Sequence, residues 1–253
     1  MKEDRNTAAG PLVAKLETIA PLPAADRVVL ARLCDGAQLM AARRNIIREG
    51  DRPDHVHLIV EGWAARYKLL PDGARQITAF LIPGDFCDIH VTVLAEMDHS
   101  IATLTKARVA AVPRAKIREL VERPSLARAF WWATLVDEAV LRAWIVNAGR
   151  RDAYEAIGHL MCELYVRLRN VGLTTDHRFD LPLTQEEIAD ALGLTPVHVN
   201  RVLQRMRGED LITLKAGLLT ILDYPRLESA AGFNPNYLHI DQDLRSGLEA
   251  LAG

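Results

Sequence analysis

No run of apolar residues in this chain is long enough to span a bilayer. The most apolar short stretch, "AFWWATLV" at residues 129–136, falls far below the roughly 20 residues that a membrane helix needs. The opening "MKEDRNTAAG" is charged and holds no apolar core, so no secretory signal is expected. Cysteine is scarce. Cys34, Cys87 and Cys162 are odd in number, far apart and without a CxxC pair. That pattern speaks against a disulfide framework or a metal set and predicts buried thiols in a reducing compartment, the cytoplasm. A surplus of one charge is missing too: 31 Lys and Arg meet 33 Asp and Glu, for a net charge of -2. A nucleic-acid partner would therefore have to be engaged by a local cluster. No nucleophile–base set, phosphate loop or paired-carboxylate signature stands out, so an enzyme is not expected. There is no internal repeat and no low-complexity segment.

What is present is an ordinary soluble balance, 49% hydrophobic and 25% charged over 253 residues, enough for about two domains. Residues 11–40 read as helical, broken by Pro21 and Pro23, with Asp26 as a helix cap. From about 45 to 112 the texture changes to short apolar runs ("HVHLIV", "AARYKLL", "QITAFLI", "SIATLT", "RVAAVP") separated by "EGDRP", "EG", "PDG" and "PGD". Turn signals at such close intervals predict an all-β roll or barrel. "RAKIRELVERP" then reads as a short helix, and 125–150 as a long one. Leu126, Phe130, Ala133, Val140 and Trp144 follow a 3–4 spacing, and Trp132, Leu135, Ala139, Ala143 and Val146 make a second stripe. A helix apolar on two faces needs cover on two sides. One cover is the roll. The other is the same helix of a second subunit, with Trp132, Val136, Val140 and Trp144 as the expected contacts. A helix follows at 153–169, then a polar turn, "GLTTDHRFDLP", between short strands.

The most informative stretch is "LTQEEIADALGLTPVHVNRVLQRMRGEDLI" at 183–212. Its residues 195–208 hold three arginines and no acid. Thr184 with Glu187 forms a capping box, and Gly193 suits a left-handed helix end. Thr195 caps a second helix, with Pro196 in the first position, where a missing N–H costs nothing. Two short helices joined through a glycine turn make a helix-turn-helix. Ile188, Ala189, Leu192, Leu194, Val199, Val202, Leu203 and Met206 form its inner face. Val197, His198, Asn200, Arg201, Gln204 and Arg205 face outward, and with Thr195, Pro196 and Arg207 they are the candidate DNA contacts. Arginine pairs bidentately with guanine and asparagine with adenine. Arg205 and Arg207 are better placed for phosphates. "LITLKAGLLTILD" adds a hairpin wing around Ala216-Gly217. A tail with Phe233 and Tyr237 in "GFNPNYLHID" follows.

A β-roll, a long helix and a winged helix-turn-helix, in that order over residues 15–225, resemble the Crp/Fnr superfamily of bacterial transcription regulators. Gly50, Gly62 and Gly84 are similar to that family's β-roll glycines. The resemblance implies an α+β fold: a double-stranded, cyclic-nucleotide-binding-like β-roll domain with N-terminal helices (1–124), a dimerisation helix (125–150), a winged helix-turn-helix (151–230) and a tail (231–253). It also implies a homodimer on double-stranded promoter DNA, with RNA polymerase as a partner if the protein activates, and no membrane partner. Two departures matter. In cyclic-AMP-binding members, the "PGDF" turn leads to a ribose-binding glutamate and a phosphate-binding arginine. A gap-free match puts Ile89 and His99 there, so cyclic AMP is not expected as effector and no cofactor is assigned. The effector-pocket candidates are Gly84, Phe86, Cys87, Ile89, His99 and Ser100. The cysteine group of iron–sulfur members is absent, since Cys34 stands alone. Val197 stands where many members carry glutamate, which implies a different DNA site. Three minor readings remain: His55 and His57 as metal ligands, although no third ligand is evident; His90 and His99 as haem, metal or pH groups; and Cys87 as a redox thiol. The alternative function class is a small-molecule, haem or redox sensor whose C-terminal module contacts protein.

Overall fold

The computed structural model describes residues 9–94 and 96–240. The end of the tail, 241–253, and the side chain of His90 lie outside the described residues. Helices α1 (Gly10–Leu16) and α2 (Ala24–Cys34) lead into the roll. Two expectations fail here. Residues 38–40 form a strand, β1 (Gln38–Met40), because the turn after Cys34 ends the helix and the backbone then pairs with residues 107–109. Asp26 does not cap α2. Pro23 holds the cap, and the Asp26 carboxylate accepts bonds from Arg123 (2.7 Å) and from the Ser125 hydroxyl.

Strands β2 (Asn45–Ile47), β3 (His55–Glu61), β4 (Ala64–Leu69), β5 (Arg75–Leu81), β6 (Ser100–Thr103) and β7 (Ala107–Pro113) complete the roll as two antiparallel sheets. Their orders are β1-β7-β3 and β2-β6-β4-β5. The "PDG" turn joins β4 to β5, with Gly73 at φ 87°. Gly84 is required twice over. Its φ is 92°, and a Cβ there would lie 2.8 Å from the carbonyl of Pro11, so α1 can close on the turn after β5 only if position 84 is bare. Val56, Leu58, Val60, Ile101 and Val109 fill the roll, covered by α1, α2, α3 (Arg114–Val121) and the first half of the long helix α4 (Pro124–Gly149).

A second core lies across the outer face of β4 and β5. Trp63, Tyr67, Ile77 and Phe80 pack there with α4, with α5 (Ala153–Asn170) and with the C-terminal module. This placement bears on the residues expected at a dimer face. Val136, Val140 and Trp144 are buried in their own chain, Trp144 edge-on to Phe80 at 5.5 Å, and Trp132 is half-buried. The chain itself covers Val136, Val140 and Trp144, three of the four residues expected to meet a partner.

Charge is buried at the junction of the two cores. Glu163 of α5, fully buried, accepts hydrogen bonds from Trp144 Nε1 (3.1 Å), Tyr237 Oη (2.8 Å) and Arg167 (3.2 Å). Arg167 also donates to Asp85 at 2.9 Å, and Lys15 of α1 holds the other Asp85 oxygen at 2.6 Å. Burial works against the Asp85 anion, but Lys15 and Arg167 prevail and hold its carboxyl below the ordinary range. At Glu163 burial wins, and the carboxyl is pushed up against the pull of Arg167. Helix α8 (Tyr224–Ala230) and the 3₁₀ turn Pro235–Leu238 bring Phe233 and Tyr237 onto this junction.

His159 of α5 lies under that cover. Its ring stacks on Tyr237 at 5.8 Å and meets Phe233 edge-on at 5.0 Å, while Asn147 approaches Nδ1 at 3.2 Å. Burial, aided by the charge of Arg151, pushes its pKa from 6.5 down to about 4. Between those values the unfolded chain binds a proton that the folded chain does not, so stability is lost as pH falls through this window. His159→Gln removes that term. Urea unfolding at about pH 7 and about pH 4.5 should show the wild type losing roughly 1–3 kcal/mol more than the variant on acidification. Equal losses would place the imidazole in contact with solvent.

Candidate nucleic-acid interface

The helix-turn-helix is assembled by local chemistry. The Thr184 hydroxyl accepts from Glu187 N (3.1 Å), and Glu187 accepts from Thr184 N (2.8 Å), which closes the capping box that opens α6 (Gln185–Leu192). Gly193 ends α6 at φ 68° in the left-handed region, where a Cβ would be strained. The Thr195 hydroxyl accepts from His198 N (3.2 Å), and Pro196 takes the first position of α7 (Pro196–Gly208). Val199, Val202, Leu203 and Met206 are buried in the same core as Ile188, Ala189 and Leu192, with Leu194 half-buried in the turn. Strands β8 (Arg178–Asp180), β9 (Ile212–Lys215) and β10 (Leu218–Ile221) form the wing. Ala216 and Gly217 (φ 50° and 79°) make its two-residue turn. The polar turn before it carries only β8 and an isolated bridge between Thr175 and Arg178.

On the open side of α7, Val197, His198, Arg201, Gln204 and Arg207 are exposed and Asn200 is half-buried. Asn200 is not a free amide. Its nitrogen donates to Gln185 Oε1 (3.1 Å), and its oxygen accepts from Gln204 Nε2 (2.8 Å), so three amides form one row across both helices. Gln185 was missed in the sequence. Its place directly after the Thr184 cap, at the mouth of the turn, was the signal. Arg205 also differs from its reading as a free cation. Its Nε bonds Glu209 at 2.8 Å and its guanidinium lies 4.4 Å from the Tyr154 ring centre, while the Tyr154 hydroxyl bonds the same carboxylate. Glu209 lies one residue beyond the acid-free window, and the four-residue helix spacing brings it back onto Arg205. Hydrogen bonds from Tyr154 and Arg205 hold its carboxyl below the ordinary value.

The opposite side of the module is docked. Helix α6 packs on β5, where Arg75 Nε meets Asp190 Oδ2 at 2.7 Å and Gln76 Nε2 donates to the Ala191 carbonyl at 3.2 Å.

The pocket candidates on the roll are brought together only in part. Gly84, Phe86 and Cys87 share the turn after β5, and Phe86 packs edge-on to Phe130 of α4 at 5.4 Å. Arg66 of β4, which sequence reading passed over as one cation on an alternating strand, closes this turn against α4. It donates to the carbonyls of Cys87 (2.9 Å) and Phe86 (3.1 Å) and to Asp137 (2.9 Å). Ile89 lies in the 3₁₀ turn Ile89–Thr92 and packs on the roll core. His99 Nδ1 faces Asp98 at 2.6 Å, and burial pushes the imidazole below its ordinary pKa. Ser100 accepts from Glu49 N at 3.0 Å. Cys87 is fully buried, which pushes its thiol well up and removes both requirements for a redox thiol. His57 is bound to Asp88 (3.1 Å) while His55 is exposed. Among the described residues no group of three His, Cys, Asp or Glu side chains could hold a metal ion.

Comparison with known proteins agrees with this geometry. Residues 155–230 match the Crp-like helix-turn-helix domain and residues 38–124 the cyclic nucleotide-binding domain. The chain is 30% identical to the nitrogen fixation regulation protein FixK of Bradyrhizobium diazoefficiens over 187 residues, 74% of this chain and 78% of that protein. It is 29% identical to the transcriptional activator protein FnrL of Cereibacter sphaeroides over 226 residues, 83% of this chain and 90% of that one. The structure of FixK2 from Bradyrhizobium japonicum shares the fold with a TM-score of 0.66 at 23% identity, over 77% of this chain and 96% of that one.

Proposed function

The chain belongs to the Crp/Fnr family of transcription regulators, DNA-binding proteins and not enzymes, and from that premise we propose that it acts as a homodimer reading a two-fold-related promoter site with α7 in the major groove. The observation that carries this reading is α7, capped by Thr195, which turns Gln204 and Arg201 to solvent while its other face is locked into the core. Arg201 is the base-reading cation, and Gln185, Asn200 and Gln204 offer amide donors and acceptors beside it. Arg207 contacts phosphate, whereas Arg205 is held by Glu209. Among the described residues no helix is long and apolar enough to cross a membrane, and the proposed site of action is the cytoplasm, where promoter DNA lies. For an activator, RNA polymerase is the corresponding protein partner. Cyclic AMP is not the effector. The apolar Ile89 offers no acceptor to a ribose hydroxyl, and an imidazole kept neutral by burial offers no cation to a phosphate.

The dimer face is the outer stripe of α4. Trp131 (71% exposed), Leu135 (49%) and Ile145 (64%) stand in solvent. They form the apolar part of the seam, with the Glu138–Arg142 ion pair (2.8 Å) on the same side of the helix between Leu135 and Ile145. Replacing Leu135 and Ile145 together by glutamate should give a folded monomer by light scattering. An unchanged dimer mass would refute this seam.

Arg201→Ala should weaken binding at the cognate site by about 1–3 kcal/mol and relax preference at one guanine. Arg207→Ala should weaken cognate and scrambled duplexes alike and lower the log–log salt slope by roughly 0.9 per subunit. The half-sites should lie about 34–36 Å apart, one turn of the duplex. Titrations of both variants at several salt concentrations decide this. An unchanged cognate-to-scrambled ratio for Arg201→Ala would remove base reading from that residue.

A further inference from the structure

The segments that flank strand β2 carry three arginines, Arg43 and Arg44 before it and Arg48 directly after it, which with Asn45 line an open hollow of about 220 Å³. The backbone under them is pinned. Arg43 N donates to the Thr103 carbonyl (2.8 Å), Arg44 N to the Thr103 hydroxyl (2.9 Å) and Arg48 N to Asp51 (2.8 Å). Arg43 itself is held at φ 59°, a left-handed conformation that a non-glycine residue adopts at a cost. The neighbouring acids are committed elsewhere. Glu49 pairs with Lys68 at 2.5 Å, and Asp51 accepts from the Arg48 backbone. No ion pair among the described residues joins any of the three guanidinium groups to a carboxylate.

Three like charges around one hollow on a fixed backbone repel one another unless an anion joins them. Guanidinium forks match the oxygens of a phosphoryl group in pairs. The volume falls below the roughly 300 Å³ at which sites for drug-sized ligands begin, so it suits a compact anion. We propose that the Arg43–Arg44–Arg48 hollow is a binding site for a small phosphate-bearing ligand of the pyrophosphoryl type, outside the turn that holds Gly84 and Cys87. The hollow is also wired to the docked module. Asn45 Oδ1 accepts from the Tyr67 hydroxyl (2.9 Å), the Arg75 guanidinium lies 5.9 Å from the Tyr67 ring centre, and Arg75 pairs with Asp190 of α6. A ligand that engages Asn45 therefore touches the same row of residues that holds α6 on β5.

Pyrophosphate is the probe, titrated calorimetrically into the full chain at constant ionic strength. One site per chain with a dissociation constant below about 1 mM is expected. The double variant Arg44→Ala, Arg48→Ala should weaken it about tenfold or more, since each lost bond to a charged group weighs that much. Arg201→Ala should leave it unchanged. Absence of saturable heat, or equal affinity in the double variant, would overturn the site. Loss of binding in Arg201→Ala would place the anion on the DNA-reading face. If the double variant loses DNA affinity while the wild type binds no pyrophosphate, the arginines serve the DNA backbone, and the proposal fails although the DNA-binding reading stands.

Discussion

Arg167 joins two carboxylates that belong to different halves of the chain, and the rest of the structure depends on that join. Glu163 lies in α5, which supports the helix-turn-helix, while Asp85 lies in the turn that closes the roll. Lys15 adds the N-terminal helix, and Tyr237 adds the segment after α8. Glu163 and Asp85 are buried, and Arg167, Lys15 and Tyr237 are partly withdrawn from water around them. Such a network costs desolvation to assemble, and removing one member costs about 3–5 kcal/mol because the others remain buried and charged. Its effect is positional: the roll, the long helix and the C-terminal module meet in one register.

From that register follows the division of surfaces. One side of the module packs on β4 and β5, and the other presents α7. The inner face of α4 is spent on the chain's own second core, which leaves Trp131, Leu135 and Ile145 in solvent. The turn after β5 is filled from within by Arg66 and Asp137, and its thiol is sealed.

How much of this was legible in the sequence depends on how local the physics is. The helix-turn-helix could be read almost residue by residue, because caps, a left-handed glycine and a proline start are set by neighbours within a few positions. The wing turn at Ala216-Gly217 and the turn ending in Gly73 were legible for the same reason. The face of α4 was not, because both stripes are apolar and only the fold decides which one is covered first. Strand β1 was hidden because three residues on a sheet edge carry no period. Helix α8, at the end of the segment read as the winged module, was passed over. The roles of Arg66, Arg167 and Glu163 arise from contacts as far as 87 residues apart in sequence, and no spacing rule reaches that far. Arg205 was misjudged by a single position, since Glu209 stands just past the window that looked free of acid.

The central claim is that the buried Glu163–Arg167–Asp85 network makes the roll and the DNA-reading module one cooperative unit. Scanning calorimetry of the full chain tests it directly. A single transition whose calorimetric and van't Hoff enthalpies agree is expected, dividing into two transitions, one per core, when Arg167 is replaced by leucine. Two separate transitions in the unaltered protein would contradict it.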